Sequence, residues 1–232
     1  MMKSYLSRSK VYEKAEPSKN AMKIYIFCEG QDTESKYFGY FKGLSSNINV
    51  IPIPNQNGQS DPLKLKERAI FLFYGDEDLP ESSLEFKLSK EYKDQVWFVI
   101  DTDRWNEGNK IGLLREFCDS KNTEYPHWFV AQSNPCFELW QYYHFYDTKP
   151  NEVEVNQCTT FKEFVAIQIR GGFDSRKMPI ELSAAIENSI NNFESTNNQP
   201  KLYSTEVHLL GQIVLPFVKD KLKIAKEMMQ IL

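Results

Sequence analysis

The chain predicts an α/β protein with a mainly parallel sheet flanked by helices and a helical C-terminal extension. Three observations carry that expectation. Short apolar runs alternate with amphipathic stretches from Lys23 to Phe145, the order that builds a parallel sheet covered on both faces. The strongest run, Val96 to Ile100, is five apolar residues in succession, as a strand buried on both sides requires. After about residue 150 the strand signals fade and only helical spacing remains.

Taken in order, residues 1–21 are polar and mixed in charge and read as an arm. Ile24 to Cys28 is a β-branched and aromatic run stopped by Glu29-Gly30. Thr33 offers an N-cap for a helix carrying Tyr37, Phe38, Tyr40, Phe41 and Leu44. Ile48 to Ile53 is a second strand, closed by Pro54. Asp61-Pro62 places an N-cap before a proline at the first helical position, and Leu63, Leu65, Ala69, Ile70, Leu72 and Phe73 follow as an apolar stripe. Residues 75–94 read as an acidic loop with a short helix. Val96 to Ile100 ends at Asp101-Thr102-Asp103 and leads to a helix near Ile111 to Ser120. His127 to Ala131 is a further strand, and Ser133-Asn134-Pro135 opens a helix holding Phe137, Leu139, Trp140, Tyr143 and Phe145. Phe161 to Ile169, Ile180 to Phe193 and Thr205 to Leu215 complete the helices. The division expected is an arm at 1–21, an α/β core at 22–148 and a helical extension at 149–232.

Composition narrows the chemistry. The 232 residues carry 28 basic and 32 acidic side chains, a net charge of -4, which argues against binding nucleic acid by bulk charge alone. No apolar run is long enough to span a bilayer. The start lacks the apolar segment of a secretory signal, so the four cysteines are expected reduced and the protein cytoplasmic. Cys28, Cys118, Cys136 and Cys158 form no C-x-x-C pair, which disfavours a zinc site of the paired-cysteine kind. With three histidines, a metal centre is expected to be built from carboxylates, the donors that suit magnesium or manganese.

Three carboxylates stand at strand ends. Glu29 follows the first strand, and Asp101 and Asp103 follow the strongest one. Ligand sites of open α/β sheets gather outside the carboxyl ends of the strands. Asp101 and Asp103, two apart, share a side of an extended backbone. A divalent ion would relieve the repulsion of such a cluster. The same residues also serve as loop chemistry: Asp101 can cap the next helix and Glu29 can occupy a turn.

Ile24 to Glu34 with Tyr37-Phe38, Val96 to Asp103, and Ser133-Asn134-Pro135-Cys136-Phe137-Glu138-Leu139-Trp140 with His144-Phe145 resemble the three motifs of the RloB-like family. The third is the most specific, and the likeness runs from about residue 22 to 218. The resemblance implies a bacterial protein similar to TOPRIM nucleases, which place a Glu after the first strand and a D-x-D after a later one. It also implies an association with phage-defence and abortive-infection loci, beside an AAA-type or ABC-type ATPase. It assigns Glu29, Asp101 and Asp103 to Mg²⁺ or Mn²⁺ and to the cleavage of nucleic acid, DNA or RNA, tRNA included. Glu34 and Glu138 are the candidates for further metal ligands, and Glu29 is either a ligand or the general acid/base. Against this, Glu34 also suits a helix first turn, and Glu138 a buried ion pair.

Asn134 and Glu138 share a face if both lie on one helix, with Asn134 otherwise a cap. Arg104 is placed to meet phosphate or to make a surface salt bridge, and His144 to support the site or fill the core. The lysines at 219, 221, 223 and 226 read as a solvated helix face. Trp105 and Trp128 read as core, with base stacking the alternative. A non-catalytic subunit working with a partner ATPase is the competing function, favoured by the acidic charge.

Overall fold

A computed structural model of the protein describes residues 14–55, 60–75, 84–102 and 107–230. The principal elements are β1 (Met22–Cys28), α1 (Thr33–Gly39), β2 (Ile48–Ile53), α2 (Pro62–Tyr74), β3 (Gln95–Asp101), α3 (Lys110–Lys121), β4 (Trp128–Asn134) and α4 (Glu138–Tyr142). They are followed by α5 (Glu152–Val155), α6 (Phe161–Gln168), α7 (Leu182–Asn191), the two-residue strands β5 (Ser195–Thr196), β6 (Gln199–Pro200) and β7 (Ser204–Thr205), and α8 (Val207–Gln230).

The central sheet has five strands in the order β2-β1-β3-β4-β7. The first four are parallel, and β7 joins β4 antiparallel. Strand alternation sorts the core. From β1, Ile24, Ile26 and Cys28 face α1, α7 and α8, where Tyr37, Phe41, Ala185, Leu210 and Val214 receive them. Tyr25 and Phe27 face the other way, with Val96, Phe98 and Ile100 of β3, onto Leu65, Phe73, Ile111 and Leu114 of α2 and α3. Ile24–Cys28 of β1 and Val96–Ile100 of β3 therefore read as continuously apolar because both of their faces are covered.

The chain leaves β1 toward β2 and then returns past β1 to β3. The connections on the two sides of β1 thus cover opposite faces, and their divergence opens a crevice at the carboxyl ends of β1 and β3.

Several sequence expectations change. Asp32, not Thr33, occupies the N-cap position of α1, and its side chain makes no cap bond. The described part of 75–94 contains no helix. β4 runs on through Asn134, so α4 begins only at Glu138 and ends at Tyr142, before Phe145. Strands recur after residue 150. β7 was hidden from periodicity because a two-residue pairing has no pattern to read. The helix expected at Thr205–Leu215 extends to Gln230 and carries Pro216 inside it.

The C-terminal residues are also integral to the α/β core. Leu182, Ala185 and Leu210 pack in one cluster with Ile24 and Trp97. Arg115 of α3 pairs with Glu206 at 2.5 Å and donates to Gln132 Oε1 at 2.9 Å, tying α3, β4 and the segment before α8 together. A third cluster, Leu139, Tyr142, Tyr143, Phe164 and Val165, fixes α4 against α6. That contact brings α6 to the rim of the crevice.

Candidate metal centre

A cleft of about 370 Å³ opens at the carboxyl ends of β1 and β3. Glu29, Gly30, Glu34, Asp101, Glu138 and Lys162 line it, with Ser60 and residues 31–33. Backbone geometry sets each carboxylate. Cys28 opposes Val99 across the parallel pair, and the Glu29 N–H donates to the Val99 carbonyl at 3.2 Å. The Glu29 side chain turns back and accepts from the Asp101 N–H at 2.8 Å. Asp101, 6% exposed, directs Oδ1 to the Phe137 N–H at 2.8 Å. Thr102 is stapled to β4 by its N–H and its hydroxyl, both donating to the Ser133 carbonyl. Gln132 Nε2 in turn donates to the Thr102 hydroxyl at 2.8 Å. These bonds hold Asp101 against the turn that carries Cys136 and Glu138.

Ligand atoms of Asp101, Cys136 and Glu138 lie within 4.8 Å of one another, and this trio can hold a metal ion. Glu34 enters from the first turn of α1. Its Oε1 accepts from the Gly30 N–H at 3.2 Å, while Oε2 is buried with no hydrogen-bond partner. Glu138 Oε2 is likewise buried and unpartnered. Glycine at position 30 leaves room for the Glu34 carboxylate: a Cβ there would stand 2.2 Å from Glu34 Oε2 and displace it.

Electrostatics reflect the crowding. Burial first, then the charges of Glu29, Glu34 and Glu138, hold the Asp101 carboxyl well above the usual aspartate range. Burial and Glu138 raise Glu34. Burial, Glu138 and Asp101 push the Cys136 thiol up. Among the described residues the offsetting cation is Lys162, whose Nζ lies 3.5 Å from Glu138 Oε1. Burial works to lower its pKa, but Glu138 and Asp101 outweigh that and raise it. Two buried carboxylate oxygens without donors, in a cleft with one half-exposed ammonium, fit a divalent cation better than they fit a metal-free cluster.

Asp103 and Arg104 lie outside the described residues, as does Trp105. Asn134 and Glu138 do not share a helical face, because Asn134 is in β4 and its amide donates to the Pro200 carbonyl at 3.0 Å. His144 sits in the core, 2% exposed. Its Nδ1–H donates to the Trp140 carbonyl at 2.9 Å, and the Tyr37 hydroxyl donates to Nε2 at 3.1 Å. Burial pushes its pKa down to about 3. Trp128 is buried between α2 and α3.

Two site residues escaped sequence reasoning. Lys162 lies in a helix read as extension, and no local pattern marks it. Cys136 stands two residues before Glu138 inside the third motif, a signal obscured by looking for cysteine pairs.

The site is thus a carboxylate and thiol cluster at the switch point of a five-stranded, mostly parallel α/β sheet. The family model described as RloB-like protein matches residues 24–212, and the chain belongs to that family. No curated protein and no solved structure matches the chain. Among the described residues no helix is long and apolar enough to cross a membrane.

Proposed function

We propose that this protein is a TOPRIM-like, Mg²⁺- or Mn²⁺-dependent phosphodiesterase that cleaves nucleic acid as a bacterial phage-defence effector. The observation that carries the reading is the convergence of Glu29, Glu34, Asp101 and Glu138 on one cleft, with Glu34 Oε2 and Glu138 Oε2 buried and unpartnered. The motif resemblance supplies the substrate class and the defence setting.

Asp101 and Glu138 would hold the ion, with Glu29 and Glu34 completing the oxygen set; Asp103 is the further ligand implied by the resemblance. When bound, the metal neutralises phosphate charge and lowers the pKa of a water nucleophile. The chain's own groups do the rest. Glu29 fixes the Asp101 backbone through the bond to its N–H. Glu34, held on Oε1 by the Gly30 N–H, keeps Oε2 free for the cation, and Glu29 is the ligand or general acid/base that the resemblance implies. Lys162 stays protonated at the rim and presents a cation to the phosphate. The net charge of -4 argues against capture of the substrate by charge alone, and the AAA- or ABC-type ATPase that would deliver it is the partner the resemblance implies.

Purified protein incubated with DNA, RNA and tRNA, with Mg²⁺ or Mn²⁺ and with the ATPase where its gene neighbours this one, tests the proposal. Cleavage that disappears in Asp101→Asn and Glu138→Gln is the expected result. Cleavage that survives both substitutions would remove the site from the reaction. Metal binding without cleavage of any substrate, with or without the ATPase, would favour the non-catalytic subunit, the reading that the acidic charge supports.

A further inference from the structure

We infer that Cys136 is itself a ligand of this centre and, of the two ions of the proposed function, favours Mn²⁺ over Mg²⁺, with the softer Fe²⁺, Co²⁺ and Zn²⁺ held more tightly still. The inference rests on the carboxylate site of the proposed function and adds a sulfur donor to it.

The geometry is specific to this thiol. Cys136 and Glu138 flank Phe137, whose N–H is bonded to Asp101 Oδ1. That bond draws the turn between β4 and α4 onto Asp101, and the flanking side chains come with it. The result is one sulfur and two carboxylates with ligand atoms within 4.8 Å of one another. Cys136 is 4% exposed. Glu34, also 4% exposed, brings an unpartnered oxygen to the cleft that Asp101 and Glu138 line, an independent sign that a cation belongs beside those two members of the trio.

The other buried thiols are placed differently. Cys28, whose Sγ lies 3.5 Å from the Ile26 carbonyl, feels the charge of Glu34 but stands outside the trio, and Cys118 packs among the side chains of α2 and α3.

Mg²⁺ requires oxygen donors in near-octahedral array, and a thiolate is a poor replacement for one of them. Thiolate sulfur instead strengthens binding of softer first-row ions. Coordination is a simple exchange: the S–H bond breaks, its proton leaves to solvent, the sulfur–metal bond forms and a water leaves the metal. No electron is transferred.

Co²⁺ titration followed by absorption tests the inference without reference to activity. It is best run in a Cys158→Ser background, which removes the thiol that is not buried. A near-ultraviolet thiolate-to-cobalt band saturating at one equivalent is expected; it should vanish in Cys136→Ser and persist in Cys28→Ser. Zn²⁺ affinity should fall by about tenfold or more in Cys136→Ser, with Mg²⁺ affinity changed by less than about threefold. If Cys136→Ser does not fold, persistence of the band in protein lacking the other three thiols assigns it to Cys136. Stoichiometric Co²⁺ binding without the band overturns the thiol ligand and leaves the carboxylate site standing. No binding of Co²⁺ or Mn²⁺ to the wild-type protein overturns both.

Discussion

Asp101→Asn probes the cluster in two directions at once. The amide oxygen can go on accepting from the Phe137 N–H, a 2.8 Å bond in the native protein. What the substitution removes is a negative charge at a position 6% exposed. Ligand atoms of Asp101 and Glu138 lie within 4.8 Å. Two like charges at that separation repel by about 3.5 kcal/mol at an effective dielectric constant of about 20, and by about 0.9 kcal/mol in bulk water. Lys162, its side chain 60% exposed, offsets part of this from beside Glu138. In EDTA at pH 7 the variant is therefore expected to be about 1–3 kcal/mol more stable than the wild type.

The pH dependence has a definite sign. The folded pKa of Asp101 is raised, by burial and then by its acidic neighbours, so the native state binds more protons than the unfolded chain. Wild-type stability then recovers as pH falls through the folded pKa, and the variant's advantage closes near the unfolded value of about 4. Saturating Mn²⁺ reverses the order, because only the wild type gains the binding term, about 4.1 kcal/mol at a thousand times the dissociation constant. Urea unfolding followed by tryptophan fluorescence, in EDTA and in Mn²⁺, reads both effects. A variant less stable than the wild type in EDTA, yet stabilised equally by Mn²⁺, would refute the reasoning.

Three further outcomes follow from named contacts. Gly30→Ala should displace the Glu34 carboxylate, since the new Cβ would stand 2.2 Å from Oε2; calorimetry should show metal affinity reduced by about tenfold with the melting curve little changed. Lys162→Met should strengthen metal binding by up to about fivefold, because a competing cation 3.5 Å from Glu138 is removed, and an unchanged or weaker affinity would contradict the electrostatic account. His144, with its pKa pushed down to about 3 by burial, stays neutral in the fold while the unfolded residue protonates below about 6.5. Its contribution to stability is complete above that value and is lost on acidification by about 1.4 kcal/mol per pH unit, so His144→Gln should flatten the acid limb of the stability profile by that slope.

The extent to which the sequence revealed this molecule follows from what periodicity and motif can carry. β1 and β3 were legible because Ile24–Cys28 and Val96–Ile100 are apolar on both faces, β2 because its run of branched residues stops at Pro54, and α2 because Asp61 accepts from the Leu63 N–H just where Asp-Pro announces a start. Glu29 and Asp101 were legible as strand-end carboxylates, since parallel topology places such residues at one edge. β7 was not, having two residues, and neither was the role of α7 and α8 in covering the sheet, which depends on long-range packing of Ala185 and Leu210 onto Ile24. Lys162 reaches the cleft only because Phe164 and Val165 lock α6 onto α4, a contact between segments with no pattern in common. The Asn134–Glu138 spacing misled because it assumed a helix where the backbone is still a strand.

The claim on which the account stands is that one cation sits between Asp101 and Glu138. Anomalous diffraction from crystals soaked in Mn²⁺ measures it directly. A peak within coordination distance of both carboxylates, bordered by Cys136, and absent from Asp101→Asn crystals, is the expected result. An empty cleft at saturating Mn²⁺, or a peak bound elsewhere on the protein, would contradict it.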